Sequence, residues 1–137
     1  MRSMLLFLVS LVLLPMLAAC SGSNAVQTVT WALNVEESAS RAEAGNRDAV
    51  RKRFDGISVV LELRTDNSFT LTVTGGPDAQ TSTGTYKSGY DAIFLYRSTR
   101  DGKPVAEADR GAWRLRSPAG KMIEVELSSM LAVLTRR

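Results

Sequence analysis

Alternation of apolar and polar side chains is the strongest pattern in this chain, and it dominates the second half. From residue 57 to residue 74 it predicts two strands joined by a polar turn at Asp66 and Asn67, which is typical of a β-hairpin. Further strands are predicted at 81–87, 93–96, 113–115, 123–127 and 130–134, between short turns rich in glycine, proline or aspartate. About eight strands with short turns favour a mainly β fold, an antiparallel meander that forms a barrel or a sandwich.

A short helical insert is predicted after the first strand. Residues 28–33 alternate as a half-buried strand, and Asn34 follows as a candidate helix cap with Glu37 three residues on. Residues 35–54 are rich in alanine, glutamate and arginine, with an interruption at Gly45 and Asn46. Because the apolar stripe of this segment is thin, we expect two short helices that lie over the outside or the mouth of the β structure.

The amino-terminal segment has the features of an export signal. Arg2 precedes an apolar stretch, and small residues lead from it to Cys20, the only cysteine of the chain. The 16 residues from Met4 to Ala19 include a proline and fall short of the roughly 20 that a spanning helix needs. The run Leu-Ala-Ala-Cys at 17–20 resembles the lipobox of bacterial lipoproteins. This resemblance implies a signal peptide at residues 1–19, cleavage before Cys20 and lipidation of the Cys20 thiol.

The same resemblance predicts where the protein is located. Two or more acyl chains anchor a protein stably, so a lipidated Cys20, carrying acyl chains such as palmitate, would hold it on a membrane. Residues 20–27 are predicted as a tether and residues 28–137 as a single β-barrel-like domain. Ser21, rather than aspartate, favours the outer membrane over the inner by the rule for enterobacterial lipoproteins. We therefore expect a lipid-anchored protein of the bacterial cell envelope that faces the periplasm.

Several short motifs of the β region are similar to those of one family. The segments LELRTDNSFTL, STGTYKSGYDAIFLY and GAWRLR follow a strand and a helical insert. Together they resemble the lipocalin-like small β-barrel domains of bacterial envelope lipoproteins, with Gly84, Thr85 and Tyr86 as the Gly-Thr-aromatic element. The resemblance implies a domain that binds a small apolar ligand or a protein, and it transfers no site residues.

Charge and composition exclude several classes of function. Cleavage after Ala19 would leave 118 residues with 16 basic and 14 acidic side chains, a weakly positive balance. The basic triplet at 51–53 has no interleaved aromatic residues, so it indicates a solvated helix end, and no nucleic-acid partner is predicted. The chain has no histidine, and lipidation would consume its one thiol. Imidazole- and thiolate-based catalysis and zinc binding are thereby excluded, and no metal and no cofactor are predicted.

Aromatic residues at strand spacing are the candidate lining of a ligand cavity, and they serve equally well as ordinary core. An eight-stranded barrel can hold one small ligand in its interior. An interior cavity of about 300 Å³ or more would support a ligand, and a filled barrel with an ordered protruding loop would support a protein partner. The candidate ligand-binding residues are Trp31, Phe69, Tyr86, Phe94, Tyr96 and Trp113.

Two alternatives to a ligand cavity remain open. The loops at 75–80 and 98–109 could present side chains to an envelope partner, as in an inhibitor or an assembly lipoprotein. Paired carboxylates, Glu124 with Glu126 or Asp48 with Asp55, could in principle hydrolyse a glycan, although Glu124 and Glu126 are expected on the solvent face of one strand. The non-enzymatic binding module is the favoured hypothesis, and the glycan hydrolase is the least favoured.

Overall fold

The protein folds into strands that follow the predicted alternation, in a computed structural model that describes residues 25–137. The predicted signal peptide at residues 1–19 and residues 20–24 of the predicted tether, Cys20 included, lie outside the described residues. The strands are β1 (Thr28–Leu33), β2 (Ser58–Arg64), β3 (Ser68–Thr74), β4 (Gln80–Ser88), β5 (Ala92–Arg100), β6 (Lys103–Pro104), β7 (Ala112–Arg116), β8 (Met122–Leu127) and β9 (Met130–Arg136).

Eight of the nine strands in residues 25–137 close into an antiparallel barrel. Each strand pairs with its neighbour in sequence, in the order β1, β2, β3, β4, β5, β7, β8, β9, and β9 returns to pair with β1 through Leu33 and Leu134. The short β6 pairs with the end of β5, outside the barrel. The predicted antiparallel meander is therefore confirmed, and it forms a barrel rather than a sandwich. Closure gives each of the eight strands a partner on both sides, although β7 and β8 pair only at Arg116 and Glu124.

Apolar side chains fill the interior of the barrel. One inward row runs through paired positions on β1 to β4, namely Trp31, Leu61, Leu71 and Ser82. On the opposite wall, β5, β7 and β8 contribute inward side chains that are at most 1% exposed: Leu95, Leu115, Ile123 and Val125. The apolar members of both walls belong to one continuous cluster. Because each large apolar side chain contributes about 1.5–3 kcal/mol when it is buried, this cluster is the main source of stability.

The predicted helical insert is present between β1 and β2. Its elements are α1 (Val35–Arg41), a 3-10 turn (Ala44–Asn46) and α2 (Arg47–Phe54). The predicted cap is confirmed, since Oδ1 of Asn34 accepts a hydrogen bond from the N–H of Glu37 at 3.0 Å. The N–H of Asn34 donates to the carbonyl of Val133 at 2.9 Å, so the Glu37 carboxylate pairs with Arg41 instead of completing a capping box.

Helix α1 lies across the outside of the barrel over β9. The Ser38 hydroxyl accepts a hydrogen bond from the N–H of Val133 at 2.8 Å and donates one to the carbonyl of Asn34 at 2.7 Å. The Val133 side chain belongs to the outer face of β9, yet it is fully buried. The insert therefore buries part of the outer barrel face, and its own Ala39, Val50 and Phe54 belong to the core cluster.

One end of the barrel, here called the entry end, is where the chain enters β1. The turns at 65–67, 89–91 and 117–121 and the carboxyl terminus lie at this end. Backbone bonds tie these segments together: Thr65 to Gln27 at 3.0 Å and Ser117 to Asp91 at 2.7 Å.

The opposite end, here called the far end, carries the longer connections. The insert begins there, and the turns at 75–79, 101–111 and 128–129 lie there. Asp101 accepts a hydrogen bond from the N–H of Thr81 at 2.8 Å, and the Ser128 hydroxyl donates one to Asp78.

Two local expectations differ from the structure. The predicted strand at 93–96 extends over nine residues, so the expected loop at 98–109 contains the end of β5, all of β6 and a 3-10 turn at Glu107–Asp109. The sequence does not predict this extension, because Ser98 and Thr99 are polar and interrupt the apolar alternation. They pair with neighbouring strands without being buried. The first helix ends at Arg41, three residues before its expected end.

Candidate functional site

Three of the six candidate aromatic residues, on β1, β3 and β4, point to the inner face of the barrel. Trp31 is 7% exposed and Phe69 is 1% exposed, and both belong to the continuous core cluster. Tyr86 is partly buried against the same cluster, and its hydroxyl donates a hydrogen bond to the carbonyl of Arg64 at 2.9 Å.

The other three aromatic residues divide between the two faces of the wall. Phe94 and Tyr96 alternate with the buried Ile93 and Leu95, which puts them on the outer face. Trp113 pairs with Leu95 and points to the inner face, where it is partly buried. The six aromatic residues thus contribute to both faces of the wall and do not line a single cavity.

The two carboxylates of the candidate pair Glu124 and Glu126 differ in burial. Glu124 is 6% exposed beside α1, so the expectation that it lies on a solvent face is wrong. Its carboxylate pairs with Arg41 at 3.6 Å and with Arg116 at 3.2 Å, while Glu126 is exposed. Alternation along β8 predicted the outward direction of Glu124 correctly, but it could not predict that a helix would cover this position.

The far end holds a cleft of about 590 Å³ beside β5 and β6, here called the arginine cleft. Its lining is Arg97, Arg100, Asp101, Lys103, Pro104, Val105, Ala106 and Asp109. This volume lies within the range of about 300–1,000 Å³ that is typical of ligand sites.

Arg97 is the side chain of this cleft with the most distinctive chemistry. It is partly buried, and its guanidinium carbon lies 5.4 Å from the centre of the Trp113 ring. Across residues 25–137, Arg97 makes no ion pair with a carboxylate. Burial, and then the positive charge of Arg100, lower the pKa of Arg97 from its usual value, which reflects a cation that lacks full compensation.

The sequence contains a signal for this site that the spacing of the aromatic residues does not reveal. Ile93 and Leu95 are inward positions of β5, and Arg97 is the next position in the same alternation. A charged residue that continues an inward row either lies at a mouth of the barrel or binds an anion. The bulge between Thr83 and Gly84, which pairs Gly84 with Arg97, was not visible in the sequence.

A second cavity of about 520 Å³ lies between the insert and the tip of the β8–β9 hairpin, here called the helix groove. Ala42, Val50, Met130 and Leu131 supply its apolar walls, and Leu131 is 40% exposed. Arg41 and Glu43 provide charge at its margin. The groove is open on the outside of the barrel, and its walls adjoin the core, since Val50 belongs to the core cluster and Ala42 and Met130 pack against it.

No family model, curated protein or solved structure matches the chain in comparisons with known proteins. Within residues 25–137, no three histidine, cysteine, aspartate or glutamate side chains come together as a metal-binding group. None of the helices in the described part of the chain is long and apolar enough to cross a membrane.

Proposed function

We propose that this chain is a lipid-anchored protein of the bacterial cell envelope that binds a protein partner, without catalysis, through the far end of its barrel. The anchor follows from the resemblance of residues 1–20 to a lipoprotein signal, with Cys20 as the lipidated residue. Ser21 favours the outer membrane as the anchoring membrane.

The packed interior is the observation that carries the choice of a partner over an internal ligand. Inward side chains from opposite walls, such as Leu71 and Leu115, are at most 1% exposed and belong to one cluster. Two cavities among residues 25–137, the arginine cleft and the helix groove, are open at the surface. A filled barrel with structured connections at its far end is suited to binding a protein on its surface rather than a ligand in its interior.

The direction of the barrel supports the same proposal. A tether that begins at Cys20 joins β1 at the entry end, so the far end would be directed away from the anchoring bilayer. The insert, the turn at 75–79 and the arginine cleft would then all be accessible to a protein in the periplasm.

Arg97 supplies the chemistry that a partner would recognise. A guanidinium that rests on an indole ring offers its edge to a carboxylate in bidentate geometry. Asp101 and Asp109 line the same cleft and would repel a doubly charged anion. A monoanionic aspartate or glutamate side chain of the partner therefore fits the cleft better than a phosphate.

The partner proposal is tested by photo-crosslinking in living cells. A photoreactive amino acid replaces Ala106 in the arginine cleft or, as the matched control, Ala119 in an entry-end turn; both alanines are exposed. We expect one envelope protein to be captured from position 106 and not from position 119. The proposal fails if neither position, or only position 119, captures a protein.

The role of Arg97 is tested in the same assay with Arg97→Gln. Arg114→Gln is the matched control, because Arg114 is an exposed residue of β7 that lies outside the cleft and makes only a 3.4 Å pair with Asp91. Loss of a charge-assisted bidentate bond should weaken capture about tenfold for Arg97→Gln, and the control should leave it unchanged. Equal loss in both variants would mean that only net charge matters.

The anchor is tested by metabolic labelling with a clickable fatty acid. The wild-type chain should carry the label and float with membranes. Cys20→Ala should lose the label and accumulate with residues 1–19 still attached. Normal processing and membrane retention of Cys20→Ala would refute the anchor.

A small apolar ligand in the helix groove is the second candidate function. The apolar walls formed by Ala42, Val50 and Met130 favour it. Native mass spectrometry of the purified chain would detect a bound lipid or metabolite, and Val50→Glu should then abolish that adduct while Lys52→Glu, on the exposed side of α2, should not.

A further inference from the structure

The basic residues of this chain are distributed unevenly between the two ends of the barrel. The entry end and the strand halves next to it carry seven basic side chains and four acidic ones, whereas the rest of the domain is close to neutral. The basic set is Arg64, Lys87, Arg114, Arg116, Lys121, Arg136 and Arg137, and the acidic set is Glu62, Asp66, Asp91 and Glu124.

Ion pairs neutralise only part of this basic set. Three of its arginines pair with three of the carboxylates, Glu62 at 2.8 Å, Asp91 at 3.4 Å and Glu124 at 3.2 Å. Lys121 and Arg136 are exposed and form no ion pair with any carboxylate of residues 25–137. The entry end therefore keeps an excess of uncompensated positive charge.

Two exposed hydrophobic residues lie at the same end of the barrel as this charge. Tyr90, in the turn between β4 and β5, is 102% exposed, and Val26, just before β1, is 54% exposed. An exposed aromatic ring with a polar tip, at an end of the domain that is rich in lysine and arginine, is the combination that favours the headgroup region of a bilayer.

We propose that the entry end is a membrane-contact surface, which lies on the anionic phospholipid headgroups of the bilayer that holds the Cys20 lipid. This inference rests on the proposed anchor. Seven residues separate Cys20 from Thr28, and a chain of that length spans at most about 25 Å. The anchor would keep the entry end near the bilayer, and the basic excess would then draw it onto the headgroups.

Contact would fix the orientation of the domain. Each lysine or arginine near an anionic surface strengthens association about fivefold, an effect that disappears beyond a Debye length of about 10 Å. With Lys121 and Arg136 engaged, the barrel would stand on its entry end and hold the arginine cleft away from the membrane. Without these two basic side chains, the barrel would have no fixed orientation relative to the membrane.

The test uses the lipidated chain reconstituted into vesicles. Because the Cys20 thiol would be acylated, an introduced thiol is the only one available for an environment-sensitive fluorophore. Ala119→Cys reports on the entry end, and Ala106→Cys reports on the far end. The vesicles contain either neutral phosphatidylcholine alone or phosphatidylcholine with about 30 mol% phosphatidylglycerol, enough to create a negative surface potential.

We expect a blue-shifted emission at position 119 only in the anionic vesicles, and none at position 106. Lys121→Gln combined with Arg136→Gln should shift the contact equilibrium about 25-fold toward the free domain. Lys52→Gln with Arg53→Gln, the same charge change on α2, should have no effect. About 1 M salt, which shortens the Debye length to about 3 Å, should abolish the shift.

Failure of this inference is distinguishable from failure of the anchor. A chain that floats with both kinds of vesicle but gives the same emission at position 119 in each would overturn the contact surface alone. A chain that does not float would overturn the anchor, and the contact surface with it. An equal response at position 106 would show that the domain has no preferred orientation.

Discussion

Two almost fully buried serines have opposite hydrogen-bonding environments. The Ser38 hydroxyl both donates and accepts, and it satisfies the N–H of Val133. The Ser82 hydroxyl points into the barrel and has no hydrogen-bond partner among residues 25–137, and neither has Nε1 of Trp31 in the same inward row. A buried polar group without a partner costs about 1–3 kcal/mol.

Alanine substitution should therefore change stability in opposite directions at these two positions. We expect Ser82→Ala to raise the free energy of unfolding by up to about 1 kcal/mol, because it removes an unsatisfied hydroxyl. Ser38→Ala should lower it by about 1–3 kcal/mol, because it leaves the Val133 N–H unpaired. Urea denaturation at equilibrium measures both values. A larger loss in the free energy of unfolding for Ser82→Ala than for Ser38→Ala would contradict these hydrogen-bonding environments.

Asp66 links stability to pH at the turn between β2 and β3. Hydrogen bonds from Ser68, including its N–H at 2.9 Å, lower the pKa of Asp66 below its usual value. A depressed folded-state pKa stabilises the fold above the unfolded pKa of about 3.9, and this contribution is lost as pH falls through the folded value.

Asp66→Asn keeps an acceptor oxygen but cannot titrate, so it isolates this effect. The wild type should be slightly more stable than Asp66→Asn at neutral pH, and the difference should shrink as pH falls below about 4. Carboxyl titration by NMR together with thermal melting checks both parts. A constant difference across the acid range would show that Asp66 does not carry the dependence.

At the scale of elements, alternation predicted the strands well and their surroundings poorly. The inward faces of β2 and β3 were evident from alternate valine and leucine, because a side chain must be apolar to enter a packed barrel. Val133 and Glu124 lie on the outer face, as alternation predicts, but Val133 is buried beneath α1 and Glu124 is buried beside Arg41 of α1 and Arg116 of β7. Alternation with a period of two predicts which face of the sheet a side chain lies on. It does not predict whether another element packs over that face.

The pairing of β4 with its neighbours depends on the absence of a side chain at Gly84. Phe69 lies opposite Gly84 on β3, and a β-carbon on Gly84 would approach Cε1 of Phe69 to 2.9 Å and overlap the carbonyl of Tyr96 on β5. The Gly-Thr-aromatic segment of the sequence therefore has a packing reason at its first position.

Gly84→Ala should destabilise the barrel by about 1–3 kcal/mol, because the backbones of β4 and β5 must separate. Gly45→Ala is the matched control, because a β-carbon there would meet no atom within 4 Å. Thermal melting should show a clear loss for the first variant and no loss, or a small gain, for the second. Similar melting temperatures for Gly84→Ala and the wild type would contradict this account.

At the scale of the whole molecule, the first and last strands of the barrel, β1 and β9, close it by pairing with each other. β1 and β9 pair through only three register positions, and the N–H of Arg137 donates to the carbonyl of Thr30 at 2.9 Å. The sequence predicted the strands on both sides of this seam, but it could not predict their pairing, because contacts between distant segments leave no local periodicity. Closure also lets inward side chains from opposite walls, such as Leu71 and Leu115, meet in one core cluster.

The seam should make unfolding cooperative across the barrel. Leu134 is fully buried at the seam, between Leu33 of β1 and Ile123 of β8. Leu134→Ala should lower the free energy of unfolding by about 2–5 kcal/mol through lost burial and a cavity. Leu131→Ala, on the same strand but 40% exposed, should change it by less than about 0.5 kcal/mol.

Amide hydrogen exchange separates global from local opening in these two variants. If closure holds the barrel together, Leu134→Ala should reduce protection by the same factor in β1 and in β5, which lies across the barrel from the seam. A loss confined to β1 and β9 would mean that the seam opens alone while the other strands stay folded. A cooperative loss would show that the seam stabilises every strand, including the end of β5 that positions Arg97 in the arginine cleft.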